Sequence, residues 1–179
     1  MEQEDWPKYT HAVESISDSH IYIYDIPRLT IPQFRSISMK LKNRHGLDLV
    51  IVDYLGLMEG IGENRVQQVS YISRNLKVIA GEVDVPIIAL HQMNRAIEQR
   101  GDGKPVLSDL RDSGSIEQDA DQVLFLYSGD NSWIPTAQIN YVNASLPKQR
   151  NGPIADNLKF AVHTFTTKFD NAFQGKEIS

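Results

Sequence analysis

Residues 49–53 read Leu-Val-Ile-Val-Asp, an apolar run that ends on a carboxylate. An unbroken apolar run of this kind is typical of a strand buried on both faces in a parallel sheet. A carboxylate directly after such a strand lies at the carboxyl edge of the sheet, where open α/β sheets bind their ligands. The stretch therefore predicts a β-strand that delivers Asp53 to a binding edge.

Helical patterns flank this strand on both sides. Before it, Thr30 and Pro32 open a helix that runs to about Asn43 and is closed just before Gly46. After it, residues 64–83 carry apolar side chains every three or four positions, which is typical of one helix face packed on a core. The members of that stripe are Val66, Val69, Ile72, Leu76, Ile79 and Val83.

Further strands are predicted on either side of these helices. Residues 20–24, 85–90 and 122–127 are apolar or β-branched runs, and residues 137–142 and 158–165 alternate as the two arms of a hairpin. Strand–helix–strand alternation implies right-handed crossovers and parallel pairing. The expected fold class is α/β: a mostly parallel sheet flanked by helices, with a C-terminal antiparallel hairpin appended to it.

Composition excludes several classes of protein. The chain has 179 residues, 41% of them apolar and 23% charged, which fits one globular domain rather than a disordered or fibrous chain. It has no cysteine, hence no disulfide, cysteine-ligated zinc or cysteine nucleophile. No apolar run approaches the roughly 18 residues that cross a bilayer, and the first residues lack a signal region, so no membrane contact is expected. The net charge of −5 means that any nucleic-acid contact must be local.

Two polar residues, Asp53 and Gln92, follow apolar runs at positions where their side chains could contact a bound phosphate group. Asp53 suits a water-mediated Mg²⁺ contact beside a nucleotide phosphate, and Gln92 can donate to a phosphate oxygen or orient water. If the two strands are neighbours, both side chains converge on one crevice. Taken singly, Asp53 is explained equally well as a turn cap, and Gln92 is explained better as ordinary strand-end polarity.

Two other segments carry candidate phosphate contacts. Residues 108–115 have the composition of a loop, whose backbone N–H groups and Arg111 can lie against phosphates. Lys148 and Arg150 stand at a turn between two strands, from which cations can reach the phosphate of a partner subunit. A plain surface loop and solubilising hairpin charges are the alternatives.

The glycine-rich loop G-x-x-x-x-G-K-[ST] does not occur in the sequence. Gly103-Lys104 is followed by Pro105, and Glu98 stands where the first glycine of the motif belongs. Because a Mg²⁺-bound nucleotide needs those backbone amides and that lysine, the chain on its own is expected to bind ATP poorly or not at all.

Taken together, these stretches resemble the C-terminal motor domain of replicative DNA helicases of the DnaB type. The order and approximate spacing of the motifs match, and the similarity runs from about Glu4 to Asp170. The most specific stretch is Ser-Gly-Ser-Ile-Glu-Gln-Asp-Ala-Asp. The stretches that carry the resemblance are residues 49–58, 91–100, 108–121 and 148–153.

The resemblance implies a RecA-like fold, hexameric rings, and ATP hydrolysis at subunit interfaces that drives movement along single-stranded DNA. It implies that Asp53 organises Mg²⁺ through water and that Gln92 links the γ-phosphate to the DNA loops. Lys148 and Arg150 then reach into the neighbouring subunit's ATP site, with Arg150 as the arginine finger. The segment that holds the DNA backbone contains Arg111, Asp112 and Gly114.

Two departures from the family pattern stand out. The family's phosphate-binding loop, catalytic glutamate and N-terminal collar lie upstream of the region matched by Trp6, so residues 1–179 are expected to be one partial motor domain. Its core spans about residues 20–170, with a tail at 171–179. Residues 143–147 also look longer than the family's strand, and Pro147 is expected to break strand pairing beside Arg150.

Three functional hypotheses remain open. The first is a segment of a helicase motor that uses ATP and Mg²⁺ once a phosphate-binding half is supplied. Its partners would be single-stranded DNA, further or full-length helicase subunits, primase and a helicase loader, in the cytoplasm at the nucleoid or in a phage or organelle. The second is a catalytically inactive RecA-like module that binds helicase subunits or DNA. The third is a relative of phage primase–helicases or of RecA-family recombination proteins.

Overall fold

The computed structural model describes residues 6–93, 97, 103–128 and 134–172. Their helices are α1 (Trp6–Ser17), α2 (Ile31–His45), α3 (Arg65–Val83) and α4 (Gly114–Asp119). Short 3₁₀ turns span Leu55–Leu57 and Leu107–Ser113. The strands are β1 (Val50–Val52), β2 (Ile87–Ala89), β3 (Gln122–Tyr127), β4 (Ile139–Gln149), β5 (Ala155–His163) and β6 (Lys168–Asn171). None of the helices within these ranges is long and apolar enough to cross a membrane.

The strands form two separate sheets. β1 and β2 pair in parallel, with Val52 opposite Ala89, and β3-β4-β5-β6 form an antiparallel sheet in chain order. The α/β class and the C-terminal hairpin are thus confirmed, but β3 belongs to the hairpin's sheet and not, as predicted, to the parallel one. Its burial alternates, because Val123 and Phe125 are buried while Leu124 is exposed, and this alternation is typical of an antiparallel strand with one wet face.

The helix before β1 begins and ends at local signals. Thr30 forms a capping box with Gln33, and a proline stands in the first turn. At the other end Gly46 takes a positive φ of 78°, a conformation that glycine adopts without strain. The predicted helix is confirmed, and it ends at His45, two residues beyond the predicted end at about Asn43.

The core lies between α2, α3 and one face of the parallel sheet. Ile72 of α3 is completely buried. It clusters with Phe34 of α2, Val52 of β1 and Leu55 of the 3₁₀ turn that follows β1. Five of the six predicted stripe residues of α3 are buried, and the exception is Val66, which is exposed in the first turn of the helix. The apolar spacing therefore identified the face of α3 that packs on the sheet.

The opposite face of the parallel sheet is open within the described residues. Ile51 is 60% exposed and Ile88 52% exposed, so the prediction that both strands are buried on both faces is wrong for this chain. Residues 20–24 are also not a strand: their backbone pairs with no described strand and Ile23 is 86% exposed. A β-branched run becomes a strand only where another strand supplies its hydrogen bonds.

Replacing Ile72 by alanine tests the core. We expect Ile72→Ala to lower the free energy of unfolding by about 3 kcal/mol, because it leaves a cavity at a completely buried site. Val78→Ala, on the exposed face of the same helix, should change it by about 0.5 kcal/mol or less. Urea unfolding followed by circular dichroism measures both values, and equal losses would contradict the assigned core.

Candidate functional site

Asp53 and Gln92 follow two neighbouring parallel strands. The amide of Leu90 donates to the carbonyl oxygen of Val52 at 3.0 Å, and the amide of Leu55 donates to the carbonyl oxygen of Leu90 at 2.9 Å. These bonds extend the pairing of β1 and β2 beyond the strands, so the segments that carry Asp53 and Gln92 leave the sheet at the same edge. The predicted adjacency of the strands is confirmed, and both residues are exposed. That their side chains line one crevice stays a prediction.

The chain after Asp53 is anchored tightly. Leu55 and Met58 are buried in the core, and the Arg65 guanidinium donates to the carbonyl oxygen of Gly56 at 2.9 Å. A Cβ at position 56 would lie 2.1 Å from Cε2 of the Tyr54 ring, so the close approach of that ring requires glycine. Because its neighbours are held on both sides, Asp53 is exposed on a fixed backbone.

His91 lies between β2 and Gln92 and is half-buried. Its Nδ1 is buried without a hydrogen-bond partner among the described atoms. Burial, and secondarily the positive charge of Arg65, lowers the pKa of His91, so the ring is held neutral. The imidazole ring binds a proton more readily in the unfolded chain than in the folded one. His91 therefore lowers the free energy of unfolding as the pH falls below the ordinary pKa of the ring. In the sequence His91 shows only as part of a strand end, because the charge of Arg65 that acts on it comes from a residue in another element, 26 positions earlier.

The Asp53 carboxylate at this edge fits one kind of metal site. Within the described residues no three His, Cys, Asp or Glu side chains cluster as a metal cage. One exposed carboxylate after a strand suits Mg²⁺ that keeps its waters and takes its other ligands from substrate phosphates. Asp53 therefore fits a Mg²⁺–nucleotide, and the described part of the chain offers no site for a metal held by protein ligands alone.

The segment predicted as a loop at residues 108–115 is helical instead. It runs as a 3₁₀ turn from Leu107 to Ser113 and then enters α4 at Gly114. The Asp109 carboxylate accepts from the amide of Val106 at 2.8 Å, and Leu110 is buried against Val123 of β3. Local capping and this anchor explain why small polar residues form helical turns here. The side chains of residues 111–114, and so those of Arg111 and Asp112, lie outside the described part.

Lys148 and Arg150 both bind the C-terminal end of α4. The Lys148 ammonium donates to the carbonyl oxygen of Glu117 and, at 3.4 Å, to that of Gln118. The Arg150 guanidinium donates to the carbonyl oxygen of Gln118 at 2.7 Å and to the Asp121 carboxylate at 3.0 Å. Cations at a helix C-terminus satisfy its unpaired carbonyls. The two residues are therefore held within the chain, rather than projecting freely from a turn.

Pro147 sits in a bulge that keeps the strand paired. Phe125 of β3 lies opposite Ser145 of β4, but Val123 lies opposite Lys148, so β4 contains one extra residue between these pairs. Pairing resumes directly after Pro147, which corrects the expectation that this proline breaks it. A bulge is one of the few places where a strand accommodates a proline.

Asp121 is a functional candidate that sequence reasoning missed. Hydrogen bonding to Lys77 and the charges of Lys77 and Arg150 hold the pKa of Asp121 below its usual value. A carboxylate with a lowered pKa contributes stability above its ordinary pKa, and that contribution is lost as the pH falls through the lowered value. Because the carboxylate is half exposed, the contribution is about 0.5 kcal/mol or less.

The family model and the relatives that match this chain all point to the same protein family. A model of the DnaB-like helicase C-terminal domain matches residues 1–171. The replicative DNA helicase DnaC of Bacillus subtilis is 48% identical over 157 residues, which cover 86% of this chain and 35% of the relative. The replicative DNA helicase DnaB of Geobacillus stearothermophilus is 47% identical over 84% of this chain and 34% of the relative. The chain thus spans about a third of the length of these relatives.

Solved structures support the same fold. A DnaB-like replicative helicase studied with primase superposes with a TM-score of 0.85 at 38% identity, over 97% of this chain and 43% of the other. A second solved structure, an ATPase domain, superposes with a TM-score of 0.84 at 38% identity, over 96% of this chain and 61% of the other. The predicted RecA-like fold is confirmed by these neighbours.

The contact between Lys77 and Asp121 can be tested by titration. We expect Lys77→Met to raise the pKa of Asp121 toward that of an ordinary aspartate, because the hydrogen bond from Lys77 is the largest cause of its lowering. Lys104→Met, which removes a lysine from a different ion pair, should leave the pKa of Asp121 unchanged. Carboxyl carbon chemical shifts followed against pH measure both, and an unmoved pKa in Lys77→Met would contradict the assigned contact.

Proposed function

Because this chain belongs to the DnaB-like helicase C-terminal domain family, we propose that it is a segment of a replicative DNA helicase motor. In this function the motor couples ATP hydrolysis to translocation on single-stranded DNA and to duplex unwinding. The observation that carries the proposal is the parallel register of β1 and β2, which brings Asp53 and Gln92 to one edge of the sheet. An acid and an amide after adjacent parallel strands are suited to a Mg²⁺-bound nucleotide.

Each residue at this edge has a distinct role in the proposal. Asp53 would hold Mg²⁺ through the ion's water, and the ion would supply charge neutralisation at the phosphate oxygens. Gln92 donates a hydrogen bond to the γ-phosphate oxygen or orients water beside it. Because hydrogen bonds fix β1 and β2 to each other, the sheet sets how far apart the segments that carry Asp53 and Gln92 lie.

The remaining roles need other subunits and DNA. Lys148 and Arg150 act on the ATP of a neighbouring subunit in a hexameric ring, and Arg150 is the arginine finger. The segment with Arg111, Asp112 and Gly114 holds the backbone of single-stranded DNA. Primase and a helicase loader are further proposed partners, and the bacterial relatives favour action in the cytoplasm on chromosomal DNA.

One observation favours a second function for the isolated chain. The 179 residues contain no glycine-rich phosphate-binding loop, and that loop supplies most of the contacts that a nucleotide's phosphates need. The alternative proposal is a catalytically inactive module that binds helicase subunits or DNA. The two functions differ in whether this sequence supports ATP turnover once a phosphate-binding half is supplied.

A chimera tests the motor function. The stretch of this chain that aligns with the Bacillus subtilis helicase over 157 residues would replace its counterpart there, and that helicase then supplies the rest of the motor. We expect this chimera to hydrolyse ATP, and Asp53→Asn to abolish turnover because the amide cannot hold Mg²⁺-bound water as a carboxylate does. A coupled phosphate-release assay measures both.

The matched control is Asp48→Asn. Asp48 is also exposed, but it precedes β1 and so lies at the amino end of the same strand. Its loss should leave turnover unchanged. A chimera that forms rings but never hydrolyses ATP would favour the inactive module, and normal turnover in Asp53→Asn would remove the metal role of Asp53.

Replacing Arg111 tests the DNA contact. We expect Arg111→Ala in the same chimera to weaken binding to single-stranded DNA. The variant should also reduce the slope of log K against log salt by about 1, because binding with one phosphate contact fewer releases fewer counterions. Arg44→Ala, at the far end of α2, is the control of equal charge. Fluorescence anisotropy at several salt concentrations gives the slopes, and equal slopes for the two variants would contradict a phosphate contact by Arg111.

A further inference from the structure

The Asp121 carboxylate lies between two cations, Arg150 of the turn after β4 and Lys77 of α3. We propose that Asp121 is a positioning residue: it holds the Arg150 guanidinium in the orientation from which it serves the ATP of a neighbouring subunit. The inference rests on the proposed function, since it concerns how the proposed arginine finger is held. It adds a residue to which the family resemblance assigned no role.

The strand register brings Asp121 and Arg150 together. Gln122 lies opposite Gln149, and the next step of the same ladder is a hydrogen bond from the amide of Arg150 to the carbonyl oxygen of Asp121 at 2.9 Å. The extra residue of the bulge at Pro147 sets this pairing. Without it the ladder beyond Phe125 would bring Gln149, and not Arg150, opposite Asp121.

Two hydrogen bonds fix the guanidinium itself. One amino group (Nη1) donates to Asp121 at 3.0 Å, and the other (Nη2) donates to the carbonyl oxygen of Gln118 at 2.7 Å. A guanidinium has five N–H groups in one plane, so three remain for another acceptor. Arg150 is 47% exposed, so these N–H groups have access to solvent and to a partner subunit.

Lys77 preserves the positive charge of this group. It binds Oδ2 of Asp121, while Arg150 binds Oδ1, so each carboxylate oxygen is held by a different cation. A lone Asp121–Arg150 pair would be neutral, and a neutral pair attracts phosphate weakly. With Lys77 present, the three side chains together carry one net positive charge, and Asp121 orients Arg150 without cancelling its charge.

A double-mutant cycle in the chimera tests the inference. We expect Asp121→Ala to lower kcat for DNA-stimulated ATP hydrolysis by about tenfold or more, with KM for ATP changed by less than about twofold, because a misplaced finger acts on turnover and not on nucleotide binding. Asp121→Glu should restore part of the kcat. In an Arg150→Ala background, Asp121→Ala should cause no further loss, since the residue it positions is gone.

The control is Asp156→Ala, which breaks an exposed ion pair with Lys104 that involves neither Arg150 nor Lys77. It should leave kcat unchanged. Independent, multiplicative losses in the double mutant, or an unchanged kcat in Asp121→Ala, would overturn the positioning role. If Asp121→Ala does not assemble into rings, Asp121→Asn keeps the shape of the side chain and carries the same cycle.

The outcomes separate this inference from the proposed function. Loss of turnover in Asp53→Asn together with normal turnover in Arg150→Ala would overturn the finger and, with it, the role of Asp121, while the motor function stands. Loss of turnover in Arg150→Ala with full activity in Asp121→Ala would overturn the positioning role alone.

Discussion

The hydrogen-bonded register of β1 and β2 is the constraint on which the rest of the site depends. The amide of Leu90 binds the carbonyl oxygen of Val52, and the amide of Leu55 binds the carbonyl oxygen of Leu90, so the two chains stay in step after the strands end. A slip by one residue would turn Val52 out of the core toward the open face. Burial of Val52 against α2 and α3 opposes that slip. The hydrophobic core therefore fixes where the acid and the amide leave the sheet.

Elements with complete local signals were predictable from sequence. α2 has its capping box at Thr30 and its glycine at position 46, and α3 has a side-chain cap at Asn64 and an apolar stripe at helical spacing. The shared edge of Asp53 and Gln92 was predicted on the condition that their strands are neighbours, and the parallel pairing of β1 and β2 meets that condition. For α2 and α3, the residues that determine where each helix begins and ends are close neighbours in the chain.

Features that depend on distant partners were not predictable. The run at residues 20–24 has the composition of a strand but pairs with no described strand. Ile51 belongs to an apolar run but lies on a face of the sheet that no described element covers. Asp121 is separated from Arg150 by 29 positions, and its pairing requires the single extra residue at Pro147. Sequence periodicity shows which face of a strand is apolar, but it does not show what packs on that face or where a bulge shifts the register.

α4 lies between the segment proposed to hold DNA and the residues proposed to act on nucleotide, and it is only six residues long. A helix of six residues is unstable alone, so its order must come from contacts outside it. Its C-terminal end is held by Lys148 and Arg150 at its last carbonyls, and by Ser73, whose hydroxyl donates to Asp119 at 2.9 Å. Its N-terminal end is Gly114, in the segment proposed to hold DNA. The cations proposed to act on nucleotide thus also hold the end of the helix that begins at the proposed DNA segment.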